Sequence, residues 1–542
     1  MARPLRAGAV VVLGAILVLS GVFHLWGIRR NLPVIPQMDE VVLYEPAIHT
    51  ASTGDLNPHW FGYPGSTVIY PTALAAHVWQ AVAYGGGWFR VGSRWPAILQ
   101  QSGFELVLIG RLVSVVYSVA ALVLLFVVGR TVFGTWTALA GTLLAALCPT
   151  TVDYAQQLRT DGPAIFFGLL YLVLCLRLLD RPGWSSSLLA GASLGLGLAT
   201  RVLLATVTPV LLAVDVLVWR RARRDGHGGA SGSAVVAGLA CVPLAFIVTT
   251  PYAVLDPATA WSTFRDTATL QSMHLGADGL GPAGNLWWYL STALPQALTW
   301  PQTMLVCLGI GSVLASRDPR AFLTALYVAS FVGGISMIGV HWTRWLLPVL
   351  PLMGLYAAHG ASTLVEAVLG VTPAAGRALG DQRRSGLAPL LVAGAALALV
   401  VTPTRTLVAD ARLRSQPTTD VMAAEWITAN LPAMSLIVRE RATAPLSDRR
   451  FVLLTFAHLP EKSVDEYLRL GVDYALASSS NWERFQNEAA RYATEVAFYQ
   501  ELHRRAQLVR EFEPSAQRGG PTVRVYALSP RARAAAARIA DR

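Results

Sequence analysis

Charged residues are scarce in this chain. Of its 542 residues only 14% are Asp, Glu, Lys or Arg, whereas 54% are hydrophobic and the mean hydropathy is +0.47. Soluble domains carry about 25% charged residues. The composition therefore excludes an assembly of soluble domains and indicates a protein that crosses a membrane many times.

Cysteine is also rare, and the usual nucleotide motifs are missing. Cys148, Cys175, Cys241 and Cys307 lie in apolar segments without metal-ligand spacing, so no disulfide framework or zinc site is indicated. The glycine-rich stretch 84–88 follows no predicted strand and is not a phosphate-binding loop. The net charge of +11 reflects short arginine clusters between apolar runs, such as 219–224. These clusters are typical of cytoplasmic loops and do not indicate nucleic-acid binding.

Apolar runs long enough for a bilayer predict about eleven transmembrane helices. They fall at 7–27, 105–129, 134–150, 162–179, 186–200, 202–218, 234–251, 297–315, 321–340, 345–362 and 387–403. We interpret the first run as an uncleaved signal anchor, because it is long and no small-x-small cleavage site follows. The pair around Thr200-Arg201 reads either as one broken helix or, in better agreement with the flanking charges, as a hairpin with Arg201 at its tip.

The arginine distribution predicts the orientation in a plasma (inner) membrane. Placing the N-terminus in the cytoplasm puts every arginine-rich connection on that side. The long loops 28–104 and 252–296, and everything after about 404, then face outward. Arg201, at the outer tip, needs an anionic partner or must extend to the interface.

Two outer loops carry the candidate chemistry. Asp39-Glu40 follows the first span, where a partly desolvated carboxylate is a stronger proton acceptor than a hydrated one, although an acidic pair there can also be a plain solvated loop. The rest of loop 28–104 is rich in aromatic residues, which predicts helices lying in the interface. The second loop carries Asp153, Arg159 and Asp161, the last just before a helix that begins at Gly162-Pro163. We expect another interfacial helix over 281–296.

After Val401 the composition changes and predicts a small α/β domain over 404–530, followed by a basic tail, 531–542, that is helical or disordered. Predicted elements are helices at 419–429 and 481–506 and strands at 435–439, 451–456, 473–477 and 523–528. No nucleophile elbow or metal-ligand cluster occurs there. We expect an accessory domain or one that faces the acceptor.

Several stretches, in chain order, resemble one family. They are Asp39-Glu40; Asn57-Pro58-His59-Trp60-Phe61 with Tyr63-Pro64; Gly110-Arg111-Leu112-Val113-Ser114; Tyr154-Ala155-Gln156 with Arg159 and Asp161-Gly162-Pro163; Gly195-Leu196 with Thr200-Arg201; Arg344-Trp345-Leu346-Leu347-Pro348 with Pro351; and Glu425-Trp426-Ile427 with Asn430-Leu431-Pro432. Together they resemble the GT-C glycosyltransferases that use polyprenyl-phosphate sugars, within which the likeness is to the protein mannosyltransferases and the lipid A aminoarabinose transferase (glycosyltransferase family 39). Arg201 stands where relatives often have Lys, and Tyr63-Pro64-Gly65 replaces a proline pair, so the acceptor class stays open.

The resemblance implies an all-α polytopic membrane module, residues 1–403, and an inverting sugar transfer from a polyprenyl-phosphate donor to a hydroxyl acceptor at the outer face. The candidate base is Asp39, with Glu40 as helper and Asp161 as a positioning carboxylate. Cations must stabilise the leaving phosphate, and the candidates are Arg111, Arg201 and Arg344. Possible substrate contacts are His59, Tyr63, Arg159 and His274. No cofactor or metal is required, although Asp39, Glu40 and Asp161 could bind a metal, as acidic groups do in relatives that transfer oligosaccharides.

Two rival interpretations remain at this stage. A transporter or flippase of lipid-linked sugars would also need arginines near the membrane, but the sequence shows no internal repeat and the charges cluster at one face. A catalytically inactive protein of the same fold would not need both carboxylates and the arginines.

Overall fold

The computed structural model describes residues 6–32, 38–83, 95–224, 228–272, 280–368, 387–440, 443–487 and 489–540. The first part of the chain is helical. Its α-helices are α1 (Ala7–Leu25), α2 (Met38–Thr53), α3 (Ser66–Ala83), α4 (Trp95–Val132), α5 (Thr135–Ala146), α6 (Pro149–Ala155), α7 (Asp161–Asp180), α8 (Trp184–Thr200), α9 (Thr208–Arg224), α10 (Gly228–Thr249), α11 (Tyr252–Leu255), α12 (Pro257–Ser272), α13 (Gly281–Trp288), α14 (Leu294–Ala297), α15 (Trp300–Ala315), α16 (Pro319–Ser336), α17 (Leu350–Val368) and α18 (Leu387–Arg414). Short 3-10 segments span Val202–Val207 and Thr343–Leu346, and a π-helical turn spans Tyr289–Ala293.

Several of these helices are apolar and long enough to cross a bilayer, which makes the chain a multi-pass membrane protein. Over the described residues five segments meet this description, or six if the α5–α6 pair, bent by 61°, is one span. They are Ala7–Leu25, Leu106–Val132, Asp161–Asp180, Val202–Arg223 and a stretch within Leu390–Asn430. Ser233–Thr249 and Trp300–Ala315 are apolar but shorter. The total of eleven spans, like the orientation, stays a prediction.

The predicted break at Arg201 is present. Helix α8 ends at Thr200, and Arg201 is extended, with φ −156° and ψ 120°, before the 3-10 segment begins. At the other end of the membrane part, α18 continues to Arg414, so the predicted boundary at residue 404 falls inside a helix.

Small residues bring neighbouring helices close together. A Cβ on Gly191 of α8 would lie 1.9 Å from the carbonyl oxygen of Gly238 on α10, and one on Gly309 of α15 would lie 2.1 Å from that of Tyr356 on α17. Lipid tails are as apolar as leucine, so close backbone approach and dispersion drive such packing. This close packing holds α8 against α10 and α15 against α17, and so fixes the positions of the segments that connect these helices.

The last part of the described chain forms a small α/β unit. Its strands are β1 (Leu436–Glu440), β2 (Val452–Phe456), β3 (Tyr474–Ser478), β4 (Gln507–Phe512) and β5 (Val523–Ala527), in the order β2-β1-β3-β5-β4. Strand β1 pairs in parallel with β2 and β3, whereas β5 is antiparallel to β3 and β4. Its helices are α19 (Thr419–Asn430), α20 (Val464–Arg469), α21 (Ser479–Gln486), α22 (Ala493–Arg505) and α23 (Pro530–Ala540), with a 3-10 turn at Leu459–Glu461.

Both faces of this sheet are covered by apolar side chains. Along β1, Ile437 packs into one cluster with α19 and α23, and Val438 into another with α22, as expected for alternating side chains. The predicted helix 481–506 is two helices, and strand β4 was not predicted. The tail, predicted as helix or disorder, is helical as far as Ala540.

Polar contacts hold the end of α18, from which the α/β unit starts, against α6 and the segment after α1. Oδ1 of Asp153, on α6, forms ion pairs with Nη1 of Arg30 at 2.7 Å and with Nη2 of Arg414, the last residue of α18, at 3.2 Å. Thr418 donates a hydrogen bond to Asn31 at 2.8 Å. The α/β unit is therefore held beside the segments that follow α1 and α6.

Candidate active site

A cavity of about 400 Å³ lies where several connecting segments of the helical part meet. It is lined by Asp39, Val42, Leu43, Trp60, Gly62, Tyr63, Arg159, Thr160, Asp161, Arg201, Val202, Leu203, Phe264, Thr267, Ala268, Val340, Trp342, Arg344 and Trp345. Six of the predicted site residues are among them. These are Asp39, Tyr63, Arg159, Asp161, Arg201 and Arg344.

Asp39 lies in the first turn of α2, where the helix dipole favours a carboxylate. Its Oδ2 accepts from two arginines, Nη1 of Arg159 at 2.7 Å and Nη1 of Arg344 at 2.9 Å. Arg159 comes from the segment before α7 and Arg344 from the 3-10 segment before α17. Asp39 thus joins two parts of the chain that are 185 residues apart in sequence.

Asp161, the first residue of α7, is the second carboxylate of the cavity. Its Oδ2 accepts from Nε of Arg159 at 2.9 Å, and its Oδ1 accepts a short hydrogen bond from Nη1 of Arg201. The side chains of Asp161, Arg159 and Arg201 are buried. The extended backbone at Arg201 delivers this arginine to the carboxylate, so its predicted anionic partner is Asp161.

The cavity therefore holds one positive charge in excess. Three arginines, Arg159, Arg201 and Arg344, share two carboxylates. Nε of Arg344 is buried without a hydrogen-bond partner among the described residues. Arginine presents a planar fork of donors that matches phosphate or carboxylate oxygens, so the cavity is suited to an anion.

The ion pairs change the expected basicity of Asp39. Burial by itself would raise the pKa of this carboxyl group, but Arg159 and Arg344 outweigh burial and leave the pKa below its ordinary value. The two cations stabilise the charged form of Asp39 and so oppose the gain in basicity that is expected from partial desolvation. Burial, followed by the charge of Asp39, raises the pKa of the nearby Tyr63.

Glu40 and Arg111 do not line the cavity. They form a bidentate ion pair, with both N–O distances 2.8 Å and both side chains 1% exposed. Arg111 also donates to the carbonyls of Ile28 and Arg30, and Glu40 accepts from the backbone N–H of Leu158. The donors predicted to hold a phosphate are thus engaged in the interior, and the geometry gives this pair a structural position behind Asp39.

Two predicted substrate contacts, His59 and His274, are not among the residues that line the cavity in the described part of the chain. His59 is exposed and pairs with Asp55, and His274 falls outside the described residues. Asp39, Glu40 and Asp161 do not gather into a metal-ligand cluster in the described part of the chain, since each carboxylate is paired with arginine.

The sequence analysis missed Trp342, which forms part of the cavity wall. The Cζ of Arg344 lies 5.2 Å from the centre of this ring, and that of Arg484, from α21 of the α/β unit, lies 5.7 Å from it. Both distances are within the range of cation–π attraction. The sequence feature that could have indicated Trp342 is its position two residues before Arg344, a candidate site residue. The α/β unit therefore reaches the wall of the cavity.

An apolar groove of about 400 Å³ adjoins the cavity and shares Val202 and Phe264 with it. The other lining residues are Phe61, Pro64, Phe246, Thr250, Ala253, Pro257, Ala260 and Trp261. The backbone N–H of Phe61 donates to Thr263 on α12, which fixes the loop between α2 and α3 against this helix. A polar cavity and an apolar groove thus lie side by side.

Comparison with known proteins gives matches over part of the sequence and over nearly the whole fold. The family model described as dolichyl-phosphate-mannose-protein mannosyltransferase matches residues 99–251. The undecaprenyl phosphate-alpha-4-amino-4-deoxy-L-arabinose arabinosyl transferases of Pseudomonas paraeruginosa (strain DSM 24068 / PA7) and Pseudomonas aeruginosa (strain LESB58) are 29% and 28% identical over 194 residues. Each match covers 32% of this chain and 35% of the relative, so the chain spans about a third of the length of these relatives.

Among solved structures, ArnT from Cupriavidus metallidurans in the apo state has a TM-score of 0.53 at 16% identity, over 96% of this chain and 98% of that one. ArnT bound to undecaprenyl phosphate has a TM-score of 0.54 at 15% identity, with the same coverage. At these identities the likeness concerns the fold.

In fold, the helical membrane part with its small α/β unit resembles the GT-C class of membrane glycosyltransferases. Within that class the chain resembles the family of the protein mannosyltransferases and the lipid A aminoarabinose transferases. The resemblance predicted from the sequence is confirmed.

Proposed function

We propose that this protein is a glycosyltransferase that moves a sugar from a polyprenyl-phosphate donor to a hydroxyl acceptor, at the extracytoplasmic face of the membrane and with inversion. The observation that carries the proposal is the cavity in which Arg159, Arg201 and Arg344 share only Asp39 and Asp161. A site with surplus, partly buried cations stabilises an anion that gains charge during the reaction.

Arg344 is the arginine best placed to receive the donor phosphate. Its side chain is 22% exposed, against 9% for Arg159 and Arg201, and its Nε has no partner among the described atoms. The phosphate can therefore bind Arg344 without breaking the buried contacts of Asp161. Arg201 lies on the opposite side of Asp161 and supplies a second cation to the cavity.

The apolar groove offers a place for the polyprenyl chain. It opens beside the cavity at Val202 and Phe264, and its aromatic walls include Phe61 and Trp261. Because lipid tails are as apolar as the groove, isoprenoid units would be held there by close packing rather than by transfer out of water. The headgroup then lies in the polar cavity and the tail in the groove, which matches the two-part chemistry of the donor.

In the transfer step the acceptor oxygen attacks the anomeric carbon as the bond from that carbon to the phosphate oxygen breaks. The leaving polyprenyl phosphate keeps the bonding electrons, and the acceptor proton passes to Asp39. A single displacement of this kind inverts the anomeric carbon. We assign proton acceptance to Oδ1, because both arginines contact Oδ2.

Donor binding would also prepare the base. In the free protein Arg159 and Arg344 depress the pKa of Asp39. When the phosphate draws Arg344 toward itself, Asp39 loses part of this stabilisation and its pKa rises. The carboxylate becomes a better proton acceptor only when a donor is present, which disfavours loss of the sugar to water.

The α/β unit is assigned to acceptor recognition. It supplies Arg484, which lies over Trp342 in the cavity wall. No bond-making role is proposed for this unit.

The proposal is tested by measuring donor binding and sugar transfer separately, with a panel of synthetic polyprenyl-phosphate sugars and purified protein. Asp39→Asn keeps the shape of the side chain but removes proton acceptance, so transfer should fall by about 10²–10⁴ while donor binding is retained. Arg344→Gln should weaken donor binding and slow transfer together, because charge builds on the leaving phosphate. Asp266→Asn, at an exposed carboxylate on α12, is the matched control and should change neither.

A correctly folded Asp39→Asn protein with normal transfer would sink this mechanism. Absence of transfer by the wild type with every donor, combined with donor movement across vesicles, would favour the transporter interpretation instead.

A further inference from the structure

Two histidines and an aspartate converge on the first outer loop, away from the cavity. His49 lies on α2, and Asp55 and His59 lie on the connection to α3. Asp55 Oδ2 lies 2.9 Å from His59 Nε2 and 3.5 Å from His49 Nε2. The two imidazole rings meet edge to face, with centroids 5.7 Å apart. Three potential ligand atoms, one from each residue, thus lie within 4.8 Å of one another.

The local backbone holds this arrangement in place. The N–H of Asn57 donates to Asp55 Oδ1 at 2.9 Å, which leaves Oδ2 directed at the imidazoles. The N–H of His59 donates to Asn57 Oδ1 at 3.0 Å, and His59 has φ +53°, a left-handed conformation that a side chain rarely adopts. Asn57 is anchored in turn by Asp256, 3.0 Å from its Nδ2. A strained residue kept by this many bonds suggests a use for its side chain.

The geometry points to a divalent metal site of the zinc type, with His49, Asp55 and His59 as three ligands and water as the fourth. Zinc binds imidazole nitrogen and carboxylate oxygen at about 2.0–2.2 Å in a tetrahedron, so ligand atoms lie about 3.4 Å apart. The two measured separations, 2.9 and 3.5 Å, bracket this value. Mixed imidazole and carboxylate ligands favour Zn²⁺ or Co²⁺ over Mg²⁺ and Ca²⁺, which prefer all-oxygen sites.

Such a metal would stiffen the loop that forms part of the cavity. Trp60, Gly62 and Tyr63, directly after His59, line the cavity, and Phe61 lines the groove. With two ligands at positions 55 and 59 and the third on α2, the ion would clamp the start of this loop to a helix. Its role is structural, and it is separate from the chemistry at Asp39.

Metal binding is measured directly, on tag-free full-length protein in detergent that has been stripped with chelator. Isothermal titration with ZnCl₂ alone should show one site per chain, and Co²⁺ should give the visible absorption bands of a tetrahedral complex. Bound metal should be released as the pH is lowered, because protons compete with the metal for its ligands. Mg²⁺ and Ca²⁺ should not displace it.

Variants identify the ligands. His49→Gln with His59→Gln should lower zinc affinity by at least about 100-fold, and Asp55→Asn, whose amide oxygen can still accept from Asn57, should lower it while keeping the loop. His77→Gln, at another histidine of the same outer loop, is the control and should bind zinc normally. Absence of stoichiometric zinc binding by the wild type, or unchanged binding by the double variant, would overturn the assignment whether or not the protein transfers sugars.

Discussion

The buried pair Glu40–Arg111 allows a strong test of how the site is supported. Both side chains are 1% exposed, and the pair connects α2, α4, the segment after α1 and the backbone of Leu158. Glu40→Gln removes one charge and leaves Arg111 buried without its counter-ion. Breaking a buried ion pair in this way costs about 3–5 kcal/mol. Since Glu40 is next to Asp39, and Leu158 is next to Arg159, the change should also displace both partners of the Asp39–Arg159 ion pair.

The measurement is thermal stability of the purified protein, together with transfer activity well below the unfolding temperature. Arg320→Gln is the control, because it breaks an ion pair of equal length, 2.8 Å, to Asp180 in which both side chains are about 40% exposed. Such exposed pairs contribute about 0–1 kcal/mol. The double variant Glu40→Gln, Arg111→Met should recover part of the loss, since no uncompensated charge remains. If Glu40→Gln is no more damaging than Arg320→Gln, the structural assignment of this pair is refuted.

Three further outcomes are expected. Because the arginines hold the pKa of Asp39 below its ordinary value in the free protein, and donor binding draws Arg344 away, the acid limb of kcat should lie at higher pH than the acid limb of kcat/KM; the opposite order of the two limbs would contradict this prediction. Arg484→Gln should raise KM for the acceptor by about 2–5-fold, the worth of an exposed cation–π contact, without changing donor binding; an effect on donor binding alone would contradict the assignment to the acceptor. Single cysteines at 219–233 should resist an impermeant thiol reagent added outside the cell, and those in loop 28–104 should react; the reverse pattern would overturn the orientation.

The sequence predicted the site residues best where a charged side chain lies close to a predicted membrane span. Arg159, Asp161, Arg201 and Arg344 each lie within three residues of a predicted apolar run, and Asp39 lies in the loop after the first run. A charged residue beside an apolar run pairs most readily with another charged residue in a similar position. Their convergence in one cavity follows from the short distances among the segments that join helices. The break at Thr200-Arg201 was visible because the two apolar stretches were individually too short.

The roles within the acidic pair could not be read from the sequence. Adjacent residues on a helix point about 100° apart, so one of Asp39 and Glu40 faces the cavity and the other faces the interior, and only the packing decides which. Arg111, on α4, lies opposite the buried face of α2 that carries Glu40, so the two side chains pair in the interior. In the Asp39-Glu40 motif, Asp39 is therefore the candidate for catalysis and Glu40 has a structural position.

The α/β unit shows a different limit. Its buried strands β1 and β3 were predicted within a residue, since their apolar runs are covered on both faces. Strand β4, Gln507–Phe512, has one buried side chain among six and lies at the sheet edge, so its sequence lacks the apolar pattern of a central strand. Strand β4 is extended because it pairs with β5 in the sheet, and its own composition does not predict a strand.

Under the proposed mechanism, the charge arrangement gives a reason for the site to hold more arginines than the phosphate alone would need. With only Arg344 beside Asp39, departure of that arginine toward a donor would leave the carboxylate half-buried and unpaired, at a cost of several kcal/mol. Arg159 remains bound to both Asp39 and Asp161, at 2.7 and 2.9 Å, and keeps each carboxylate in position. One arginine can then move between carboxylate and phosphate while another holds the framework, so that the base is activated by the donor without being released from its position.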